Sequence, residues 1–276
     1  MKSILVPTDF STCSINAVHY AAELAKYFDA KIILFHAFHP PVMITEVPDM
    51  LSFQEMKDMQ IEDLEKLAAE LKSQHGETLV IETVCESGFA VDEIQIYQEA
   101  NENDLIVMGM KNVGLFTEKL FGSLTTTLMY KLFCPILSIP ENYTFKPIIN
   151  IALAADLKES KPTLIFTNFI NFISVFGAHL HVLNVNKNVL EMIKSTHSVT
   201  EEKYKNTFQT ISYSTHHLTN ENIAAGINEF IKSKEIDLVA MIPKKHSFWE
   251  NLIHEPQTKK IAFHANIPVM ALNVKI

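Results

Sequence analysis

The segment "GMKNVGLFTEKLFGS", residues 109–123, holds three of the seven glycines in this chain and ends in the hydroxyl of Ser123. Glycine is conformationally costly, so a chain this sparing of it needs Gly109, Gly114 and Gly122 where they stand. An apolar run ends at Gly109 and an amphipathic run begins at Ser123, which reads as strand, loop and helix start. The first N–H groups of a helix are unpaired and partly positive, so they suit phosphate oxygens. Gly122 lets an anion approach the backbone, while the Ser123 hydroxyl caps the helix or donates to an oxygen. Asp9 closes the first apolar run at the same carboxyl edge, where open α/β sheets bind ligands, and a carboxylate there can accept ribose hydroxyls. Plainer readings fit the same residues equally well: Gly109 as a turn residue, Ser123 and Asp9 as helix N-caps.

Other chemistry is poorly represented. No GxxxxGK[ST] motif is present, and Leu124 rather than lysine follows Ser123. No GxGxxG follows the first strand, and Pro7-Thr8-Asp9-Phe10-Ser11 stands where a Ser-Gly-Gly pyrophosphatase loop would be. Nothing like GxSxG places a nucleophile, so no catalytic residue is assigned. Twelve histidines raise the question of metal, and His179 and His181 point the same way on a strand, with His216 and His217 adjacent downstream. No HExxH or carboxylate framework accompanies them, so they read as strand and surface histidines. Cys13, Cys85 and Cys134 are widely spaced among apolar residues and read as reduced core thiols.

The elements that must position the glycine segment follow a βαβ pattern. Strand-like runs at 2–10, 30–38, 78–85, 104–109 and 134–140 alternate with helical patterns at 14–28, 51–74, 90–101 and 123–133. The order then restarts, with strands at 148–157, 178–185, 210–218, 237–242 and 267–274. Residues 104–135 and 237–268 align without a gap at an offset of 133, which implies two copies of one domain. The expected domains are 1–141 and 147–276. In the second copy Ile242 stands for Gly109, Lys245 for Asn112, and Glu255-Pro256 for Gly122-Ser123. A carboxylate would then meet phosphate, and proline removes a donor, so this copy is expected to be degenerate.

Composition narrows the partners. The content is 47% hydrophobic and 20% charged, that of a globular chain with a real core. No run approaches a membrane span, and the start lacks a signal-peptide pattern, which points to the cytoplasm. The net charge is −9, and all 23 basic residues are lysine. An acidic chain without arginine is a poor nucleic-acid binder and cannot supply an arginine finger. The last strands of the two copies are apolar edges that must be covered, which suggests an intramolecular pseudo-dimer, with or without a further homodimer.

The chain resembles the universal stress protein family in tandem form. The resemblance rests on "ILVPTDFS" (4–11), "IILFHAF" (32–38), and "VMG" (107–109) leading to "GS" (122–123) and "CPIL" (134–137). It implies, for each half, a five-stranded parallel sheet of order 3-2-1-4-5 flanked by helices, adenine nucleotide alpha-hydrolase-like. Nucleotide-binding members carry Gly-x2-Gly-x9-Gly-Ser/Thr; here Asn112 takes the place of the second glycine. By resemblance Pro7, Thr8 and Asp9 border adenine and ribose, and main chain near Ala37 reads the adenine edge. Met108 and Gly109 line the pocket, and Asn112, Gly122, Ser123 and Leu124 hold phosphates. The ligand implied is ATP, ADP or AMP, with or without Mg2+, in a stress-response sensor or regulator. The alternatives are a nucleotide-independent interaction module and a slow ATP hydrolase.

Overall fold

A computed structural model describes residues 1–39, 52–110, 123–154, 164–186, 204–219, 223–242 and 266–273. The first half runs β1 (Ser3–Pro7), α1 (Thr12–Phe28), β2 (Lys31–Phe38), α2 (Phe53–His75), β3 (Ile81–Ser87), α3 (Ala90–Asn101), β4 (Leu105–Met110), α4 (Ser123–Lys131) and β5 (Ile136–Pro140). The second half contributes β6 (Asn150–Ala154), α5 (Leu164–Phe176), β7 (His179–Asn186), β8 (Tyr213–Thr219), α6 (Ile223–Ser233), β9 (Leu238–Met241) and β10 (Val269–Ala271). Several bounds differ from the sequence reading. β1 ends at Pro7 instead of residue 10, and β3 spans Ile81–Ser87 instead of 78–85. β8 begins at Tyr213 instead of 210, after a turn in which Ile211 N–H bonds Phe208 O, and β10 spans Val269–Ala271 instead of 267–274, starting after Pro268, which offers no N–H.

Strands such as Ile4, Leu5 and Val6, each fully buried, are apolar on both sides because helices cover both faces of a parallel sheet. Two core layers result, one under α1, α2 and α5 and the other under α3, α4 and α6. Helix α2 sinks only Leu64, Leu67 and Leu71 and is fixed at its start by a Ser52–Glu55 capping box. All three cysteines are buried and none is in a disulfide.

The strands form one ten-stranded sheet of order β3-β2-β1-β4-β5-β10-β9-β6-β7-β8. Each half therefore has the 3-2-1-4-5 order, and the two last strands meet. β5 and β10 pair antiparallel, with Ile136 opposite Ala271, Leu137 opposite Met270 and Ser138 opposite Val269. Leu137 and Met270 stand at the repeat offset of 133, so equivalent residues face each other across a pseudo-twofold axis. Above this seam Phe28 and Phe176, the last residues of α1 and α5, meet edge-on at 5.9 Å, and Phe28 stacks on Phe172 at 5.5 Å. The linker adds Tyr143 and Phe145 against Tyr20.

One device is used twice. Asp104 Oδ2, just before β4, accepts from Lys2 N–H at 2.6 Å and Ser3 N–H at 3.2 Å. Its repeat equivalent, Asp237, just before β9, accepts from Ile149 N–H at 2.8 Å and Asn150 N–H at 2.9 Å. Each carboxylate satisfies the donors at the start of the neighbouring strand and so sets its register. Asp237 is the more buried and also pairs with Lys146 at 2.6 Å.

Helix α1 seats on β4 through Gly109. A Cβ at this position would lie 2.5 Å from Cys13 O and 2.7 Å from Cys13 Sγ. Gly109 lies within a strand and has no positive φ, so close approach of the helix, not turn geometry, requires glycine there.

Two outcomes follow from these contacts. Asp237→Ala removes the buried acceptor of two part-buried N–H groups and should cost about 2 kcal/mol in urea denaturation, with Asp104→Ala costing less at its more exposed site. Gly109→Ala pushes α1 off β4 and should cost about 2 kcal/mol in the same measurement, whatever the ligand state. A neutral Gly109→Ala would mean that the contact with Cys13 yields freely.

Candidate functional site

β1 is five residues long and β2 eight, and the two start in register, Ser3 opposite Lys31. β2 therefore continues beyond the end of β1 at Pro7, which faces Phe35. The last rung between them is Thr8 N–H to Phe35 O at 2.8 Å. Along a strand, residues two apart direct their backbone groups to the same side. Phe35 faces β1, so Ala37 also directs its N–H and C=O toward that side, past the point where β1 has ended. The next rung would use Thr8 O, but His36 Nδ1–H takes that carbonyl instead, at 2.8 Å. A donor and an acceptor on one short stretch of backbone are the groups that read the edge of a planar heterocycle.

The turn after β1 is densely hydrogen-bonded. Thr8 is 5% exposed, and its Oγ1 lies 3.0 Å from Ser14 Oγ and accepts from Phe10 N–H at 3.1 Å. Phe10 adopts φ +59, a left-handed conformation uncommon outside glycine, and its ring packs 4.9 Å from that of His36. The N-cap of α1 is Ser11, whose side chain accepts from Ser14 N–H, so the reading of Asp9 as N-cap gives way to Ser11. Asp9 instead braces the cap, its Oδ1 accepting from Ser11 N–H at 3.1 Å and from the Ser11 hydroxyl. Asp9 is nonetheless exposed. Partial burial would raise its pKa, but hydrogen bonds from Ser11 and Ser14 outweigh this and hold it below the ordinary carboxylate value. The carboxylate stays ionised through the neutral range.

Of the other site residues, Met108 is buried and Gly109 is half-buried, both in β4, beside β1 in the sheet. Pro7, Thr8, Asp9, Ala37, Met108 and Gly109 thus share the carboxyl edge of the first half. Gly109 is explained by its contact with Cys13 and needs no ligand to account for it. Ser123 is the exposed first residue of α4, its carbonyl accepting from Thr127 Oγ1, and Leu124 packs on the lower core. Asn112, Gly114 and Gly122 lie outside the described residues, as do Lys244, Lys245, Glu255 and Pro256 of the second copy. Ile242 is described and is buried, an apolar side chain at the position of Gly109.

Sequence reasoning missed His36, Ser11 and Ser14 as organisers of this edge. The cluster of small hydroxyl residues around Asp9 was the available signal. It also missed the stacked pair His39 and Phe89, 4.6 Å apart, which stands at the ends of β2 and β3 with Phe89 67% exposed. Among the described residues no group of three or more His, Cys, Asp or Glu side chains is placed to hold a metal ion. No described helix is long and apolar enough to cross a membrane.

Comparison with known proteins places this architecture. A family model described as the universal stress protein family matches residues 1–140. Universal stress protein MJ0531 of Methanocaldococcus jannaschii is 27% identical over 139 residues, 50% of this chain and 81% of that protein. Universal stress protein Sll1654 of Synechocystis is 30% identical over 141 residues, 50% of this chain and 85% of that one. The crystal structure of a universal stress protein from Archaeoglobus fulgidus superposes with a TM-score of 0.72 at 17% identity over 98% of both chains, so the shared fold extends through both halves. With the family model spanning the whole first half, the chain belongs to the universal stress protein family.

Proposed function

We propose that the chain binds one adenine nucleotide (ATP, ADP or AMP) at the carboxyl edge of its first half and acts as a cytoplasmic sensor or regulator in a stress response. The observation that carries this reading is the unequal length of β1 and β2. It directs the N–H and C=O of Ala37 past the last β1–β2 rung, beside the exposed and ionised carboxylate of Asp9. A purine edge fits the backbone pair, and ribose hydroxyls fit the carboxylate. Membership in the universal stress protein family supports the same assignment. The phosphates, with or without Mg2+, would fall to Asn112, Gly122, Ser123 and Leu124, where a glycine precedes the start of α4.

On this reading residues 1–141 form the nucleotide-binding domain and residues 147–276 a degenerate copy. Glu255 would set like charge against a phosphate, and Pro256 would remove a donor. The buried Ile242 further marks the second edge as apolar where the first has glycine.

Calorimetric titration of the nucleotide-stripped full chain with ATP and AMP should saturate near one site per chain. Gly122→Glu, which copies the second half's own residue, should abolish binding while the thermal transition stays cooperative. Asp9→Ala should weaken binding about tenfold or more, the usual loss for a hydrogen bond to a charged group. Two equal sites would overturn the degenerate reading of the second copy. No binding of either nucleotide would favour an interaction module of the same fold.

A further inference from the structure

The second half carries a polar cluster that the nucleotide reading does not use. It lies on one face of β7 and β8, where β8 is the outermost strand of the sheet and, among the described residues, pairs with β7 alone. His179 and His181 project from β7, Ser214 and His216 from β8, and Ser212 lies just before β8. His181 Nδ1 lies 3.0 Å from His216 Nε2, and Ser214 Oγ lies 2.8 Å from His216 Nε2 and 2.9 Å from His179 Nε2. His179 Nδ1 reaches Ser212 Oγ at 2.7 Å, and His181 Nε2 faces Asn150 Oδ1 of β6 at 3.5 Å. Phe230 of α6 closes the cluster, its ring 4.8 Å from His216 and 5.7 Å from His181. Four elements, β6, β7, β8 and α6, therefore meet through these side chains.

The donors and acceptors balance when all three rings are neutral. A neutral imidazole has one N–H. His216 Nε2–H donates to His181 Nδ1, and His181 Nε2–H points to Asn150 Oδ1. The Ser214 hydroxyl donates to His179 Nε2, and His179 Nδ1–H donates to Ser212 Oγ. A first added proton on His216 Nδ1 leaves His216 Nε2–H in place, shared between His181 Nδ1 and Ser214 Oγ. A second proton sets two cationic N–H groups against each other across 3.0 Å.

Among the described residues the charged surroundings offer no compensation. The groups acting on the pair are His179 on β7, His217 on β8 and Lys234 just beyond α6, all of the same sign once protonated; β6 presents the neutral Asn150. Burial, then His179, His216 and Lys234, push His181 down to about 4, and burial with Lys234, His179 and His217 lowers His216. Both folded-state values lie below the unfolded value near 6.5, so the unfolded segment binds more protons in the interval. The contribution to stability is complete above about pH 6.5 and is lost as the pH falls toward about 4.

We propose that His179, His181 and His216, joined through Ser214, form an acid-sensitive latch that fastens the edge strand β8 and helix α6 onto β7. Protonation releases that edge of the second half while the first half and the β5–β10 seam stay paired. The first half has no histidine cluster at its own edge: there β2 and β3 present Lys31, Ile33 and Glu82, Val84 at the matching rungs, with Lys31 and Glu82 in an exposed ion pair at 2.9 Å.

Peptide-resolved hydrogen exchange on the full chain at pH 7 and pH 5, corrected for the chemical exchange rate, tests this. Peptides covering 213–219 and 223–233 should exchange at least tenfold faster at pH 5, while those covering 3–7 and 31–38 change less than twofold. The double variant His181→Asn with His216→Gln keeps an acceptor and a donor near the original nitrogens but cannot titrate, and its β8 should stay protected at pH 5. Equal protection of β8 at both pH values in the unmodified chain overturns the proposal, as does equal loss in both halves. A variant that is protected at pH 7 yet opens at pH 5 like the unmodified chain also overturns it. Should the variant lack protection at pH 7, NMR titration of the unmodified histidines decides: midpoints for His181 and His216 below about 6 support the latch, and higher ones overturn it.

Discussion

The antiparallel pairing of β5 with β10 is the constraint from which the rest of the molecule follows. Each half ends in an apolar edge strand, which left open would template association with other chains. Pairing the two ends covers both, and the pairing is antiparallel, so the strands of the second half run opposite to those of the first. The two carboxyl edges consequently face opposite ends of the sheet. No ligand can be held jointly between them, and each half must build a site alone or lack one. The same pseudo-twofold places Phe28 against Phe176 and leaves β3 and β8, the least buried strands, as the outer edges.

Equivalent positions then show what each copy retains. Asp104 and Asp237 perform one task at one offset, pairing with strand-start N–H groups, and that task is architectural because any parallel sheet of this order must satisfy those donors. The second copy reinforces it, since Lys146 and Tyr143 from the linker also reach Asp237. Gly109 and Ile242 diverge. Where α1 presses on β4, glycine is required; where Ile242 stands, a full side chain is buried. Divergence at such a position separates a helix seated tightly on its sheet from one that cannot sit the same way.

Much of this was legible in the sequence for definite reasons. Doubly buried strands write themselves as continuous apolar runs, so "SILVP" and "LIVMGM" announce a parallel sheet. The gap-free offset of 133 announced the repeat, and the apolar last strands announced their need for cover. The local geometry around Asp9 was less visible. Ser11, not Asp9, caps α1, because the choice between neighbouring capping residues depends on which adopts the extended backbone. His36 was silent because its role depends on β1 stopping at Pro7, a fact about the relative length of two strands. The convergence of His181 with His216 depends on the β7–β8 register, which sets His181 opposite Ser214 and so brings His216, two residues on, within reach on the same face.

The two halves share register as well as strand order. Ala154 of β6 faces Leu183 of β7 as Pro7 of β1 faces Phe35 of β2, so Val185 stands at the sheet position of Ala37. Parallel pairing fixes the strand backbone alike in both copies, and what differs is what stands around it: an ionised carboxylate braced by hydroxyls and a glycine packed under α1 in the first, and in the second a buried isoleucine and a sequence offering Glu255 and Pro256 for Gly122 and Ser123. Any difference in what the halves do must reside in those surroundings, because the sheet supplies both with the same backbone.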